Sequence, residues 1–182
     1  MNYRRVFVGI PISQSLGKRL IRKMEAWQHL PIRFGKEENF HVTLAFLGLV
    51  KDDDLPIICE DIKEALAETE SFDMTFNQIE LTPKGGDEAK MLWIKGEPSK
   101  GLASLRNDLE STLSSFDPGY KTFTPHITLG RVLRTRWAKL PERPDIREAV
   151  NLAESVGSVT LFESMSENGK RKFIPLAEFP LL

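Results

Sequence analysis

The chain has 182 residues, 41% of them apolar and 28% charged, with a formal net charge of −1 at pH 7. That length supports one domain or two small lobes with a real core, and the balance excludes a disordered chain and a protein that coats nucleic acid by bulk charge. No apolar run reaches membrane-spanning length, the one cysteine (Cys59) excludes an intrachain disulfide, and MNYRRVFVGIPIS lacks a full signal-peptide apolar region, so a cytoplasmic protein is expected.

Residues 5 to 12, RVFVGIPI, are rich in strand formers and end at a proline, which predicts a buried strand. Ser13 or Ser15 then caps a helix whose Leu16, Leu20, Met24 and Trp27 share one face. His29 falls near its C-terminal end, where an imidazolium suits the helix dipole. HVTLAFLG, from 41 to 48, reads as a strand. A second helix over about 53–69 aligns Leu55, Ile58, Ile62 and Leu66, with Cys59 as a packing residue. FDMTFNQIEL alternates like a half-buried strand and leads through a Gly-Gly turn at 85 and 86 to KMLWIKG, which predicts a hairpin, in which Trp93, like Trp27, reads as core.

The order then repeats. A Ser99-capped helix carries Leu102, Leu105, Leu109 and Leu113, and after a loop comes a second histidine strand, HITLGRV, from 126 to 132. An offset of 85 positions relates His126 to His41, Met91 to Val6 and Leu105 to Leu20. Two similar halves are expected, with repeat units of about 5–49 and 90–132 inside a single domain covering 1–182. The remainder is less regular. TRWAKLPERPDIREAVNL suggests one short helix, and SVTLFESMSENGKRKFIPLAEF reads as two strands joined at Asn168-Gly169. Arg131, Arg134 and Arg136 form one basic cluster, and Lys170, Arg171 and Lys172 another that reads as a solvated turn. Antiparallel hairpins with helices imply an α+β fold.

In a strand, residues two apart share a face, so His41 and Thr43 point one way and Val42 and Leu44 the other, and likewise His126 and Thr128 against Ile127 and Leu129. One such pair is an ordinary feature of a pleated surface. Two at matched positions of a repeat point to a site. Imidazoles titrate near neutrality, so one His can act as base and the other as acid in an in-line attack at phosphorus, with the threonine hydroxyls donating to the phosphate oxygens. That scheme calls for no metal or other cofactor, and no thiolate or clear carboxylate lies nearby in sequence to complete a zinc set.

HVTLAFLG and HITLGRV resemble the paired H-x-T-x motifs of the two-histidine (2H) phosphoesterase superfamily, and within it the RNA 2′,3′-cyclic phosphodiesterases, also called 2′-5′ RNA ligases or LigT-like proteins. The resemblance extends through IRFGKEENFHVTLAFLG, FTPHITLGRV and SVTLFESMSENGKRKFIPLAEFPL. It implies a bilobal fold of two pseudo-symmetric lobes, antiparallel sheets around a central groove and helices outside. It also implies opening of a 2′,3′-cyclic phosphate at an RNA end to a 2′-phosphomonoester, with 2′-5′ joining or cleavage in some members. Carried over, His41 gives a proton to the departing 3′ oxygen, His126 accepts one from water, and Thr43 and Thr128 hold the phosphate. The two histidine roles are interchangeable on spacing alone.

Two positions depart from the family pattern. Gly130 stands where alanine is common, and Phe34 stands where tryptophan often follows the arginine matched by Arg33. Phe34 either stacks on a base or packs in the core. Arg131 faces away from His126 if its strand is regular and reaches a phosphate only if the strand bends. The partner expected is an RNA 3′ end or oligonucleotide with a cyclic phosphate, bound by a monomer. Rival readings are a phosphodiesterase for small cyclic nucleotides, ADP-ribose cyclic phosphate or 2′-5′ oligoadenylates, and a non-catalytic binder of RNA ends.

Overall fold

A computed structural model describes residues 2–83, 88–113 and 123–182. In chain order these form β1 (Tyr3–Pro11), α1 (Gln14–Met24), β2 (Ile32–Phe34), β3 (His41–Lys51), α2 (Leu55–Ala65), β4 (Phe72–Thr82), β5 (Met91–Gly96), α3 (Lys100–Thr112), β6 (His126–Val132), α4 (Arg134–Trp137), β7 (Arg147–Val156), β8 (Ser158–Glu167) and β9 (Lys170–Pro180). Short 3-10 turns occupy Glu25–Trp27, Glu37–Asn39 and Asp52–Asp54. Strands pair antiparallel in two sheets, ordered β3-β1-β8-β9 and β2-β6-β5-β4-β7. The fold is α+β, with each histidine strand beside the strand that opens its repeat.

Local chemistry explains most boundaries. Ser13 and Ser99 accept from the amides of Leu16 and Leu102, each at 3.2 Å, so both helices of the repeat start at a serine cap. Leu16, Leu20 and Met24 are buried on α1, and Leu102, Leu105 and Leu109 on α3. The second helix is shorter than its apolar stripe, because Asp52–Asp54 takes a 3-10 turn before Pro56 enters the first helical turn. His29 is exposed in the turn beyond Glu25–Trp27, one short segment past the end of α1. The stretch expected to hold one short helix also contains β7. Its Glu and Ala residues are poor strand formers, and pairing with β4 from Phe72↔Val156 to Glu80↔Arg147 holds it. The Asn168-Gly169 turn between β8 and β9 has positive φ at both residues (50° and 74°), as a two-residue hairpin requires. The Gly-Gly turn at 85 and 86 lies outside the described residues.

One contiguous core runs through both sheets and includes Val8, Leu44, Leu92, Ile94, Ile127 and Leu129. The halves are not self-contained. Glu154 on β7, 7% exposed, accepts from the backbone amide of Ser13 and, at 2.8 Å, from its hydroxyl, while Lys23 pairs with Glu148 at 2.6 Å, so α1 is tied to the opposite sheet. Reciprocally, Arg106 on α3 lies over the Phe123 ring at 4.4 Å and donates to the carbonyl of Leu44 on β3. Among the described residues no helix is long and apolar enough to cross a membrane.

The Glu154 clamp leaves a buried amide unsatisfied when cut. Glu154→Ala is expected to lower stability by about 2 kcal/mol and Ser13→Ala by about 1 kcal/mol, with the double variant well short of the sum, measured by urea denaturation.

Candidate active site

Strands β3 and β6 lie against each other where the sheets meet, and each opens on its motif histidine. His41 and His126 are close enough for the charge of one to act on the other. Both are held the same way. His41 Nδ1 lies 2.8 Å from the carbonyl of Asn39, and His126 Nδ1 lies 2.8 Å from the carbonyl of Thr124, two residues upstream in each case. A carbonyl only accepts, so Nδ1 carries the proton and Nε2 is the basic nitrogen. Thr43 is half-buried and Thr128 exposed on the same faces, opposite Gly9 and Trp93 respectively.

The walls differ sharply. His41 sits among Phe7, Phe173 and Phe162, with ring centroids at 4.8, 4.7 and 5.7 Å. Burial in this apolar cage pushes its pKa down to about 4, opposed by the Asn39 carbonyl and assisted by the charge of His126. His126 stacks on the Trp93 indole at 3.6 Å, the planes 17° apart. Its pKa is also lowered, first by burial, against the Thr124 carbonyl, with the Lys95 ammonium adding to the shift. Lys95 faces His126 across the ladder and is paired with buried Glu80. Asn39 has a further role: its side chain donates to the Arg171 carbonyl and accepts from the Phe173 amide, both at 3.2 Å, which seats β9 and Phe173 against His41.

Trp93 and Asn39 are site residues that sequence reasoning misses. The 85-residue offset aligns Trp93 with buried Val8, but the ladders pair Gly9 with Thr43 and Trp93 with Thr128, an offset of 84. A one-residue slip exchanges the faces of a strand, so Trp93 belongs to the groove and not to the core. Trp27 does pack against the core.

A matching irregularity corrects the orientation of Arg131. In both motifs the leucine is a bulge: Leu44 is skipped between Thr43↔Gly9 and Ala45↔Val8, and Leu129 between Thr128↔Trp93 and Gly130↔Leu92. The extra residue turns the strand, so Phe46 and Arg131 reach the faces that carry the histidines. The bulged carbonyls are taken by Arg106 and by the Gly35 amide. Gly130 lets β2 close in, since a Cβ there would lie 2.6 Å from the Ile32 side chain. Arg33 then stands opposite Arg131, both exposed, whereas Phe34 lies on the other face of β2 and packs against the core. Arg134 and Arg136 are exposed on α4, and Lys170, Arg171 and Lys172 on the β9 end of the hairpin. Burial raises the Cys59 thiol pKa, consistent with a packing role. Among the described residues no group of three His, Cys, Asp or Glu is placed to hold a metal ion.

Two imidazoles, each with Nε2 left to take or give a proton, thus stand with a threonine hydroxyl beside each on the adjoining strands β3 and β6. The family model of the 2′-5′ RNA ligase superfamily matches residues 14–165, and the chain belongs to that superfamily, the two-histidine phosphoesterases. Relatives named RNA 2′,3′-cyclic phosphodiesterase include those of Escherichia coli K12, 26% identical over 98% of this chain and 97% of the relative, and of Geobacillus stearothermophilus, 28% identical over 100% of this chain. The chain spans 59% of the latter's length. A Thermus thermophilus protein superimposes with TM-score 0.79 at 21% identity, over 97% of each chain. E. coli LigT, solved with 3′-AMP, superimposes with TM-score 0.77 at 23% identity, over 99% of each chain.

His41 ties fold stability to pH. Its folded pKa lies below the unfolded one, so stability is full above pH 6.5 and declines as pH falls to about 4, by at most ~3 kcal/mol. Denaturation at pH 7 and 4.5 is expected to show this loss in the wild type and a smaller one in His41→Asn, and an NMR titration of His41 to give a midpoint near 4 that rises in Phe173→Ala.

Proposed function

We propose that the protein hydrolyses 2′,3′-cyclic phosphate at RNA ends to 2′-phosphomonoesters by metal-independent acid/base catalysis. The observation that carries this is the matched pair of imidazoles, each fixed as the Nδ1–H tautomer with Nε2 basic. His126 takes a proton from water as its oxygen attacks phosphorus. The bond from phosphorus to O3′ breaks, and His41 supplies the proton that O3′ acquires. Thr43 and Thr128 donate to the non-bridging oxygens as charge shifts onto them. A 5′ hydroxyl in place of water would leave a 2′-5′ linkage by the same proton transfers. The names of the relatives and the fold shared with LigT support this reading. The whole chain serves as one bilobal catalytic domain, a reading supported by the shared core and the crossed ties of α1 and α3.

Electrostatics sets a condition on the cycle. Both pKa values lie below the ordinary 6.5, so both imidazoles are mainly neutral at pH 7, and the anionic phosphate favours protonation of the acid as it binds. Whichever histidine is the acid, kcat/KM peaks between the two free-protein values and falls above pH 6.5.

The test is hydrolysis of a short RNA with a 2′,3′-cyclic phosphate end in excess chelator. Wild-type turnover to a 2′-phosphate, lowered about 10²- to 10⁴-fold by His41→Ala and by His126→Ala, is expected. Strict metal dependence would overturn the mechanism, and tight binding without turnover would make the protein an RNA-end binder. An activated aryl phosphodiester, whose leaving group needs no proton, should restore His41→Ala and not His126→Ala. The reverse pattern exchanges the roles.

A further inference from the structure

Glu80 lies on β4, an interior strand of the five-stranded sheet, and is 6% exposed. A carboxylate so placed is costly unless paired, and its partner among the described residues is the Lys95 ammonium. The same contact fixes Lys95, whose flexible stem would otherwise leave its charge free in solvent. Residues opposite one another in an antiparallel ladder share a face, and the ladders set Lys95 opposite His126 and Trp93 opposite Glu80. His126 therefore has an indole against its plane and a held cation across the ladder. Other charged or titratable groups stand around β6. His41 approaches from β3, Arg131 lies on β6 beyond the bulge with Arg33 opposite on β2, and Arg147 is exposed on β7 opposite Glu80. Arg106 on α3 turns to the Leu44 carbonyl, and Glu97, past the end of β5, accepts from Asn77. Of these groups only Lys95 is opposite His126 in the ladder.

The reaction proposed above needs His126 neutral and His41 cationic. The phenylalanine cage works against that distribution, because it disfavours the charged form of His41. Burial, and after it the Lys95 ammonium, works for it by disfavouring an imidazolium at His126. We propose that Lys95, held by Glu80, is a positioning residue that acts through His126, keeping the proton off this ring so that His41 carries it. This rests on the proton roles given above to the two histidines.

An NMR titration of His126 requires no turnover and tests the ammonium directly. Lys95→Met alone strands the Glu80 carboxylate, so the charge is removed together with its partner in the Lys95→Met, Glu80→Gln double variant, whose Tm verifies the fold. Because β4 lies one strand farther from His126 than β5, loss of the ammonium outweighs loss of the carboxylate. His126 is expected to titrate at higher pH in the double variant than in the wild type, and Lys95→Arg, beside native Glu80, to bring the midpoint back down. The same midpoint in wild type and double variant overturns the proposal. The pH profile of kcat/KM on an RNA with a 2′,3′-cyclic phosphate end then reads the proton roles. With the proton held on His126 the peak should fall about two- to fivefold, the scale of a part-exposed charge pair, and the alkaline limb should move to higher pH. A limb that moves with no fall in the peak makes His126 the donor and overturns the proposal while the hydrolysis stands. Absence of hydrolysis in the wild type overturns the reaction, and the titration still decides whether Lys95 governs the proton on His126.

Discussion

The site depends on one contact made twice: an imidazole Nδ1–H donating to a backbone carbonyl two residues upstream. The acceptor belongs to the segment that enters the strand, so the geometry that starts the strand also fixes the tautomer. Side-chain partners are not required for this, and the walls around each ring are therefore free to differ. They do, with three phenylalanines around His41 and an indole with a lysine beside His126. Equivalent histidines thus have their proton affinities lowered by unlike surroundings, which is how one repeated motif can serve the two proton-transfer roles proposed above.

Much of this was legible in the sequence. The two H-x-T strings, the serine caps and the helix stripes led to an α+β fold with two antiparallel sheets, and the structure has it. Where reading by periodicity failed, a single residue was responsible. The bulges at Leu44 and Leu129 break strict alternation, which would turn Arg131 away from the groove, and the one-residue difference between strand and histidine offsets hides Trp93. A bulge is chosen by tertiary pairing and by carbonyl partners such as the Gly35 amide, neither of which is encoded locally. The strand β7 is hidden for a related reason: its Ala and Glu residues are poor strand formers, and β4 decides its conformation.

Asn39 and Glu154 show how little polar bonding is required to tie distant segments together. Each makes paired hydrogen bonds between segments more than 130 residues apart in sequence. Asn39 lends its carbonyl to His41 and its side chain to β9, so the aromatic wall and the ring it surrounds are set by one residue. The cage that depresses the His41 pKa is therefore assembled from strands distant in the chain but referenced to a common point.

The repeat-related positions 46 and 131 carry an aromatic ring on one strand and a guanidinium on the other, each delivered by its own bulge. An unmodified duplication would create a groove indifferent to which way round a ligand lies. Rotating a ligand by half a turn here exchanges an apolar surface, Phe46 at 45% exposure, for a cationic one. The site consequently has a sense of direction: an asymmetric molecule lying along it meets an aromatic ring at one end and a cation at the other.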